Sequence, residues 1–178
     1  MAIKSKQTDN IVTAKKSKST EFSVKLPGVE DTERLGAELA ATLPDGVVVF
    51  LQGELGAGKT CLVRGLLRAL GHHGAVKSPT YTLLEEYTLA GREIIHFDLY
   101  RLIDPEELDL IGIRDYFNDK TCCFIEWPQR GEGHLPGEDL SINISLDGNG
   151  RVATISAHSE IGMTFLQSIQ SALCLESG

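Results

Sequence analysis

The chain has 178 residues, 42% of them apolar and 24% charged, enough for one domain with a buried core and ordinary for a globular protein. Its longest apolar runs fall far short of the roughly 20 residues that a membrane-spanning helix needs. Charge is uneven: residues 1–20 hold Lys4, Lys6, Lys15, Lys16 and Lys18 against Asp9, a balance of +4 within a total of −8, so residues 21–178 carry −12, which argues against a body that grips nucleic acid directly through its phosphates.

The basic start lacks apolar periodicity and is expected to be a disordered tail over residues 1–20, followed by a single domain over 21–178. It has no apolar stretch of the secretory type and no arginine of the transit-peptide type, so a cytoplasmic protein is expected. Glu21 to Leu26 alternates strictly, with Phe22, Val24 and Leu26 on one face, and predicts a strand. Pro27-Gly28 turns the chain. Asp31 is placed to cap a helix reaching Leu43, with Leu35, Leu39 and Leu43 in one stripe. Val47 to Leu51 is an apolar, β-branched run of buried-strand length. Leu62, Val63, Leu66, Leu67 and Leu70 then recur at helical spacing, and Gly71 ends that helix. Residues 80–88 and 92–99 predict two strands around Ala90-Gly91. Asp104-Pro105-Glu106-Glu107 predicts a helix start. Thr121 to Ile125 predicts a buried strand, and Ser141–Leu146 and Arg151–Ser156 a hairpin around Asp147-Gly148-Asn149-Gly150. Met163, Leu166, Ile169 and Leu173 predict a closing helix. A strand–loop–helix unit mixed with hairpins predicts an α/β fold with antiparallel additions.

Between the strand ending at Leu51 and the helix of Leu62 lies Gly53-Glu54-Leu55-Gly56-Ala57-Gly58-Lys59-Thr60, which matches G-x-x-x-x-G-K-[ST]. In isolation this is a glycine-rich turn before a helix, but the flanking strand and helix supply the context that a phosphate-binding loop needs. Glycines let backbone N–H groups wrap phosphates without a Cβ in the way, and the helix N-terminus adds partial positive charge. Lys59 can reach the β- and γ-phosphates, and the Thr60 hydroxyl can ligate Mg²⁺.

Such a loop needs an acid to complete the magnesium shell. Asp98, after Ile94-Ile95-His96-Phe97, and Glu126, after Cys122-Cys123-Phe124-Ile125, both stand at the C-terminal ends of apolar runs, where α/β sheets bind ligands. One can serve the metal and the other the attacking water; either alone could merely cap a turn. His96 and Asp98 share a strand face by period two and can interact, although a structural histidine reads equally well. Trp127 can pack on nucleotide, partner or core. Arg101, Arg114 and Arg130 are each candidates to offset phosphate charge. Ser78-Pro79-Thr80 follows the loop's helix, and the Thr80 hydroxyl there can sense a γ-phosphate or simply bond within its turn. Asp109-Leu110-Ile111-Gly112 matches D-x-x-G, but no N-K-x-D follows and Asp109 sits in a helix pattern, so ATP is expected rather than GTP. Cys61, Cys122, Cys123 and Cys174 form no C-x-x-C pair and read as buried free thiols of a reducing compartment. The five histidines show no zinc-ligand spacing.

The P-loop together with Lys77-Ser78-Pro79-Thr80-Tyr81-Thr82-Leu83, His96-Phe97-Asp98-Leu99-Tyr100-Arg101-Leu102, Gly112-Ile113-Arg114-Asp115-Tyr116-Phe117 and Glu126-Trp127-Pro128 resembles the TsaE family over roughly residues 22–158. The resemblance implies a three-layer P-loop NTPase-like fold with a central, mainly parallel sheet. It implies that Thr60 and Glu126 serve Mg²⁺, that Lys59 and the loop backbone hold the phosphates of ATP, that Asp98 is the acid required for hydrolysis, and that Ser78, Pro79 and Thr80 form a switch. It implies slow ATP hydrolysis in support of repeated turnover by TsaB and TsaD, which modify adenosine 37 of tRNA, with tRNA contacted mainly through those partners. A small-molecule kinase would share the P-loop, but no arginine cluster follows the loop's helix to form a lid. A scaffold that binds nucleotide without hydrolysis would not need both Asp98 and Glu126.

Overall fold

A computed structural model of the protein describes residues 20–175. The expected tail, apart from Thr20, lies outside the described residues. In chain order the elements are β1 (Glu21–Leu26), α1 (Val29–Thr42), β2 (Val48–Gln52), α2 (Lys59–Ala69), β3 (Leu84–Leu89), β4 (Arg92–Asp98), α3 (Glu107–Leu110), β5 (Thr121–Glu126), β6 (Leu140–Asp147), β7 (Gly150–Ala157) and α4 (Glu160–Leu175), with 3₁₀ turns at Ile113–Tyr116 and Pro128–Gly131.

The strands form one sheet in the order β1-β7-β6-β2-β5-β4-β3. Four of them, β6, β2, β5 and β4, run parallel through the middle. Strands β7 and β1 extend one edge and β3 the other, each antiparallel to its neighbour. This is the expected α/β architecture: a central, mainly parallel sheet with antiparallel hairpin additions. Strands β2, β5 and β4 are buried almost throughout, which is why their sequences read as apolar runs, whereas β6, at the border with the antiparallel strands, alternates as Leu140-Ser141-Ile142-Asn143-Ile144 with only one face buried.

Alternation within β4 and β5 sorts side chains between two cores. Ile94, Cys122 and Phe124 join Val49, Leu51, Ile142 and Ile155 beneath Leu35 and Leu39 of α1, Leu62, Val63, Leu66 and Leu67 of α2, and Phe165, Leu166 and Ile169 of α4. Ile95, Phe97, Cys123 and Ile125 face the other way and are covered by Leu99, Leu102, Leu108 and Ile113. His96, Asp98 and Glu126 fall on the α2 side by the same period of two.

Helices α1 and α2 approach unusually closely, through two glycines. A Cβ on Gly36 would lie 2.2 Å from the Leu62 carbonyl oxygen, and one on Gly65 would lie 2.1 Å from that of Glu33. Arg64 and Arg68 close the contact by pairing with Glu33 at 2.8 and 3.0 Å. The P-loop helix is thereby braced against α1 as well as the sheet.

Several local expectations shift. Helix α1 starts two residues before Asp31, and the Asp31 carboxylate instead reaches back to accept from the Gly28 N–H at 2.8 Å. Residues 80–83 are a turn rather than strand, because the Leu83 N–H closes on the Pro79 carbonyl at 2.7 Å and Leu83 has φ 72°. The helix signal at Asp104 is real but brief. The Asp104 side chain accepts from the Glu106 N–H, Glu107 bonds back to the Asp104 N–H, and the chain turns away at Gly112. Cys122 and Cys123 are buried free thiols as expected, but Cys61 is half-buried and Cys174 exposed, since α2 and α4 turn those positions away from the sheet.

Candidate functional site

The strand before the loop is central in the sheet, so Gly53–Gly58 emerges at the C-terminal edge of the parallel strands. Gly56 and Gly58 hold φ of 77° and 116°, conformations closed to most side chains, and a Cβ on Gly56 would meet nothing within 4 Å. Gly58 is the N-terminal cap of α2, so the loop delivers its last glycine directly to the helix start.

Lys59 begins that helix and is almost fully buried. Its Nζ donates to the carbonyls of Gly53 and Glu54, at 2.7 and 2.9 Å, and stands 4.3 Å above the centroid of the Trp127 ring. Burial lowers its pKa from the usual lysine value, against the opposing pull of Glu126, Asp98 and Glu54. One turn-start later, Thr60 Oγ1 donates to Glu126 Oε1 at 2.7 Å. Asp98 lies beside Glu126 as its Cα partner across β4 and β5. Its carboxylate accepts from the Ser78 hydroxyl on one oxygen and from the Tyr100 N–H, at 3.0 Å, on the other. The structure thus brings together Lys59, Thr60, Ser78, Thr80, Asp98 and Glu126 in one cleft of about 320 Å³ with Gly56, Gly58 and Trp127.

Trp127 is the pivot of this wall. At φ 57° it is one of three described non-glycine residues with positive φ, and the turn lays its indole between Lys59 and the Tyr100 ring, 5.0 Å away. Of the three candidate arginines only Arg101 lines the cleft. Its guanidinium stacks 4.3 Å over the ring of Tyr81, itself 83% exposed, and donates to the Tyr81 hydroxyl at 3.0 Å. Arg114 pairs with Asp109 on the surface at 3.5 Å, and Arg130 sits exposed in the 3₁₀ turn after Trp127. Asp109, the acid of the D-x-x-G match, also pairs with His134 at 2.9 Å and is not part of the cleft.

Two features escape sequence reading. His96 does not meet Asp98; its Nε2 lies 2.8 Å from Glu126 Oε1 on the neighbouring strand. Arg151, at the start of β7, reaches across to donate to the Gly56 carbonyl at 3.3 Å, a contact between positions 95 residues apart that no local pattern announces. A larger cavity, of about 820 Å³, runs between β1 and α4, but the described residues lining it carry no formal charge, so the chemistry gathers at the smaller cleft.

The oxygen donors present suit a hard cation. The Thr60 hydroxyl and Glu126 carboxylate offer one protein hydroxyl and one carboxylate, the sparse set that Mg²⁺ takes when substrate phosphates complete its shell. Loop N–H groups and Lys59 supply the matching anion site.

Comparison with known proteins follows the same residues. The model of the family "Threonylcarbamoyl adenosine biosynthesis protein TsaE" matches residues 26–153, a span that includes the P-loop, Asp98 and Glu126. The chain is 50% identical over 125 residues to the tRNA threonylcarbamoyladenosine biosynthesis protein TsaE of Haemophilus influenzae, covering 70% of this chain and 79% of that one. It is 41% identical over 123 residues to the protein of the same name from Treponema pallidum, covering 67% and 90%. Its fold is similar to the crystal structure of YdiB from Bacillus subtilis, with a TM-score of 0.74 and 27% identity over 85% of this chain and 95% of that one.

Proposed function

The chain belongs to the TsaE family, and on that premise we propose that it is a Mg²⁺-dependent ATPase that supports repeated turnover in the synthesis of tRNA N6-threonylcarbamoyladenosine, with TsaB and TsaD as its partners. The observation that carries this reading is the Thr60–Glu126 hydrogen bond set beside Asp98 at adjoining strand ends, directly over a P-loop. A scaffold that only holds nucleotide needs the P-loop but not both acids. A Mg²⁺-dependent hydrolase uses the P-loop and both acids.

Each residue has a task. The loop backbone from Leu55 holds the phosphates, and Lys59 exchanges the Gly53 and Glu54 carbonyls for the β/γ-oxygens. Thr60 and Glu126 hold Mg²⁺, which supplies charge neutralisation on the phosphates when bound. Asp98, already fixed by Ser78 and Tyr100, orients the attacking water and accepts its proton. Ser78 thereby links the segment from Ser78 to Thr80 with the hydrolytic acid, so loss of the γ-phosphate changes a surface that a partner can read. The net charge of −12 over residues 21–178 leaves tRNA contact mainly to the partners. No helix among the described residues is long and apolar enough to cross a membrane, and a cytoplasmic setting fits the pathway.

Phosphate release from ATP tests the reading, measured with the protein alone and with the TsaB–TsaD pair. Slow, Mg²⁺-dependent release that rises several-fold with the pair supports it. Release no faster than a Lys59→Ala control, with or without the pair, contradicts it.

A further inference from the structure

His96 is fully buried on β4, two residues before Asp98 and on the same sheet face, yet it bonds Glu126. The strand register explains why. His96 is paired with Phe124 and Asp98 with Glu126, so the imidazole reaches its carboxylate diagonally. An ionised carboxylate only accepts hydrogen bonds, which puts the imidazole proton on Nε2. In that tautomer Nδ1 is a bare lone pair, and it is buried with no hydrogen-bond partner among the described residues. A buried acceptor left unsatisfied is destabilising, and an apolar side chain of similar size would avoid that cost. Packing alone therefore explains this residue poorly.

The bond to Glu126 explains it better. Oε1 of Glu126 accepts from two donors at once, His96 Nε2 at 2.8 Å and Thr60 Oγ1 at 2.7 Å. Oε2 has no partner among the described residues and is not among the buried atoms, so it opens on the cleft that Glu126 lines. The Thr60 hydroxyl, having given its only proton to Oε1, keeps its lone pairs for a cation. The chain His96–Glu126–Thr60 thus presents two oxygens, Glu126 Oε2 and Thr60 Oγ1, from fixed positions.

We infer that His96 is a positioning residue for magnesium, an inference that rests on the function proposed above. It touches neither nucleotide nor metal. It locks the Glu126 side chain and, through it, the direction of the Thr60 hydroxyl. Outer-shell partners of this kind are typically worth 10–100-fold in metal affinity.

The test is calorimetric binding of a non-hydrolysable ATP analogue to the full chain at stepped Mg²⁺ concentrations and with the metal chelated. Wild type is compared with His96→Leu, His96→Asn and His96→Gln, with thermal melts confirming that each is folded. His96→Leu and His96→Asn should each raise the half-saturating Mg²⁺ concentration at least about tenfold, with metal-free affinity unchanged. His96→Gln should stay near wild type, because its amide nitrogen reaches the Nε2 position and donates to Oε1. Nitrogen-15 spectra of histidine-labelled wild type should show His96 as the Nε2–H tautomer. Equal Mg²⁺ midpoints across the folded variants, equal loss of metal-free and metal-dependent binding, or an Nδ1–H tautomer would overturn the inference. If His96→Leu does not fold, the Gln–Asn comparison decides, since both carry an amide and differ in its reach. A wild type whose nucleotide binding ignores Mg²⁺ would overturn the function beneath the inference, and the inference with it.

Discussion

Asp98 and Glu126 are Cα partners on adjacent parallel strands, yet among the described residues their carboxylates share no hydrogen-bonding partner. Glu126 is tied to Thr60 and His96, and Asp98 to Ser78 and the Tyr100 N–H. Neighbouring acids with separate surroundings are suited to separate tasks. Glu126→Gln should weaken the Mg²⁺ dependence of ATP binding. Asp98→Asn should leave binding nearly intact and slow hydrolysis at least about a hundredfold, as loss of a positioned base does. Titration of ATP binding with Mg²⁺, alongside single-turnover hydrolysis, checks both. If Asp98→Asn abolishes Mg²⁺-dependent binding while Glu126→Gln spares it, the roles are reversed.

Lys59 is held by two backbone carbonyls and the Trp127 ring. Lys59→Ala should lower ATP affinity at least about tenfold, or about 1.4 kcal/mol, as measured by calorimetry. Its lowered pKa adds a pH signature. Burial makes the proton easier to lose, so ATP affinity in the wild type should decline as pH rises at values still below 10.5, the usual lysine value, and Lys59→Ala should lack that decline. The stability sign is opposite. In the free protein the charged, buried lysine is a cost that is relieved as pH rises through the lowered pKa.

The glycine contact between α1 and α2 predicts a sign reversal. On helix propensity alone, Gly65→Ala would gain up to about 1 kcal/mol. Here the new methyl would stand 2.1 Å from the Glu33 carbonyl oxygen, and the obstacle is backbone that cannot swing aside. A net loss of about 1–3 kcal/mol is expected, as for other overpacked sites. Denaturant unfolding showing equal or greater stability would mean that the two helices separate more easily than their packing implies.

Thr80 lies in the cleft beside the Ser78–Asp98 bond. Thr80→Ala should reduce stimulation by the TsaB–TsaD pair more than it reduces ATP binding. Paired measurement of phosphate release and ATP affinity separates the two, and an equal loss of both would remove the switch role.

The sequence was most informative where chemistry and periodicity coincide. The P-loop motif and its flanks identified β2 and α2, and the apolar runs ending in Asp98 and Glu126 placed both acids at the sheet edge where the cleft forms. What it left open depends on strand order. Period two put His96 on the face of Asp98, but only the β4–β5 register reveals that Glu126 is within reach. Arg151 approaches the P-loop because β7 lies two strands from β2, a neighbourhood set by tertiary topology. Residues 80–83 have a weak β signal but form a turn, because the Leu83 N–H bonds the Pro79 carbonyl instead of a neighbouring strand.

The central claim is that ATP hydrolysis in this cleft sustains repeated tRNA modification. Its most direct measurement is modification of tRNA by purified TsaB and TsaD from threonylcarbamoyl-adenylate, followed over many turnovers with wild type, with Asp98→Asn and with neither. Wild type should sustain turnover, while Asp98→Asn and omission should stall after the early cycles. Undiminished multi-turnover modification in the absence of this protein, or with Asp98→Asn in its place, would contradict the account even if the protein hydrolyses ATP.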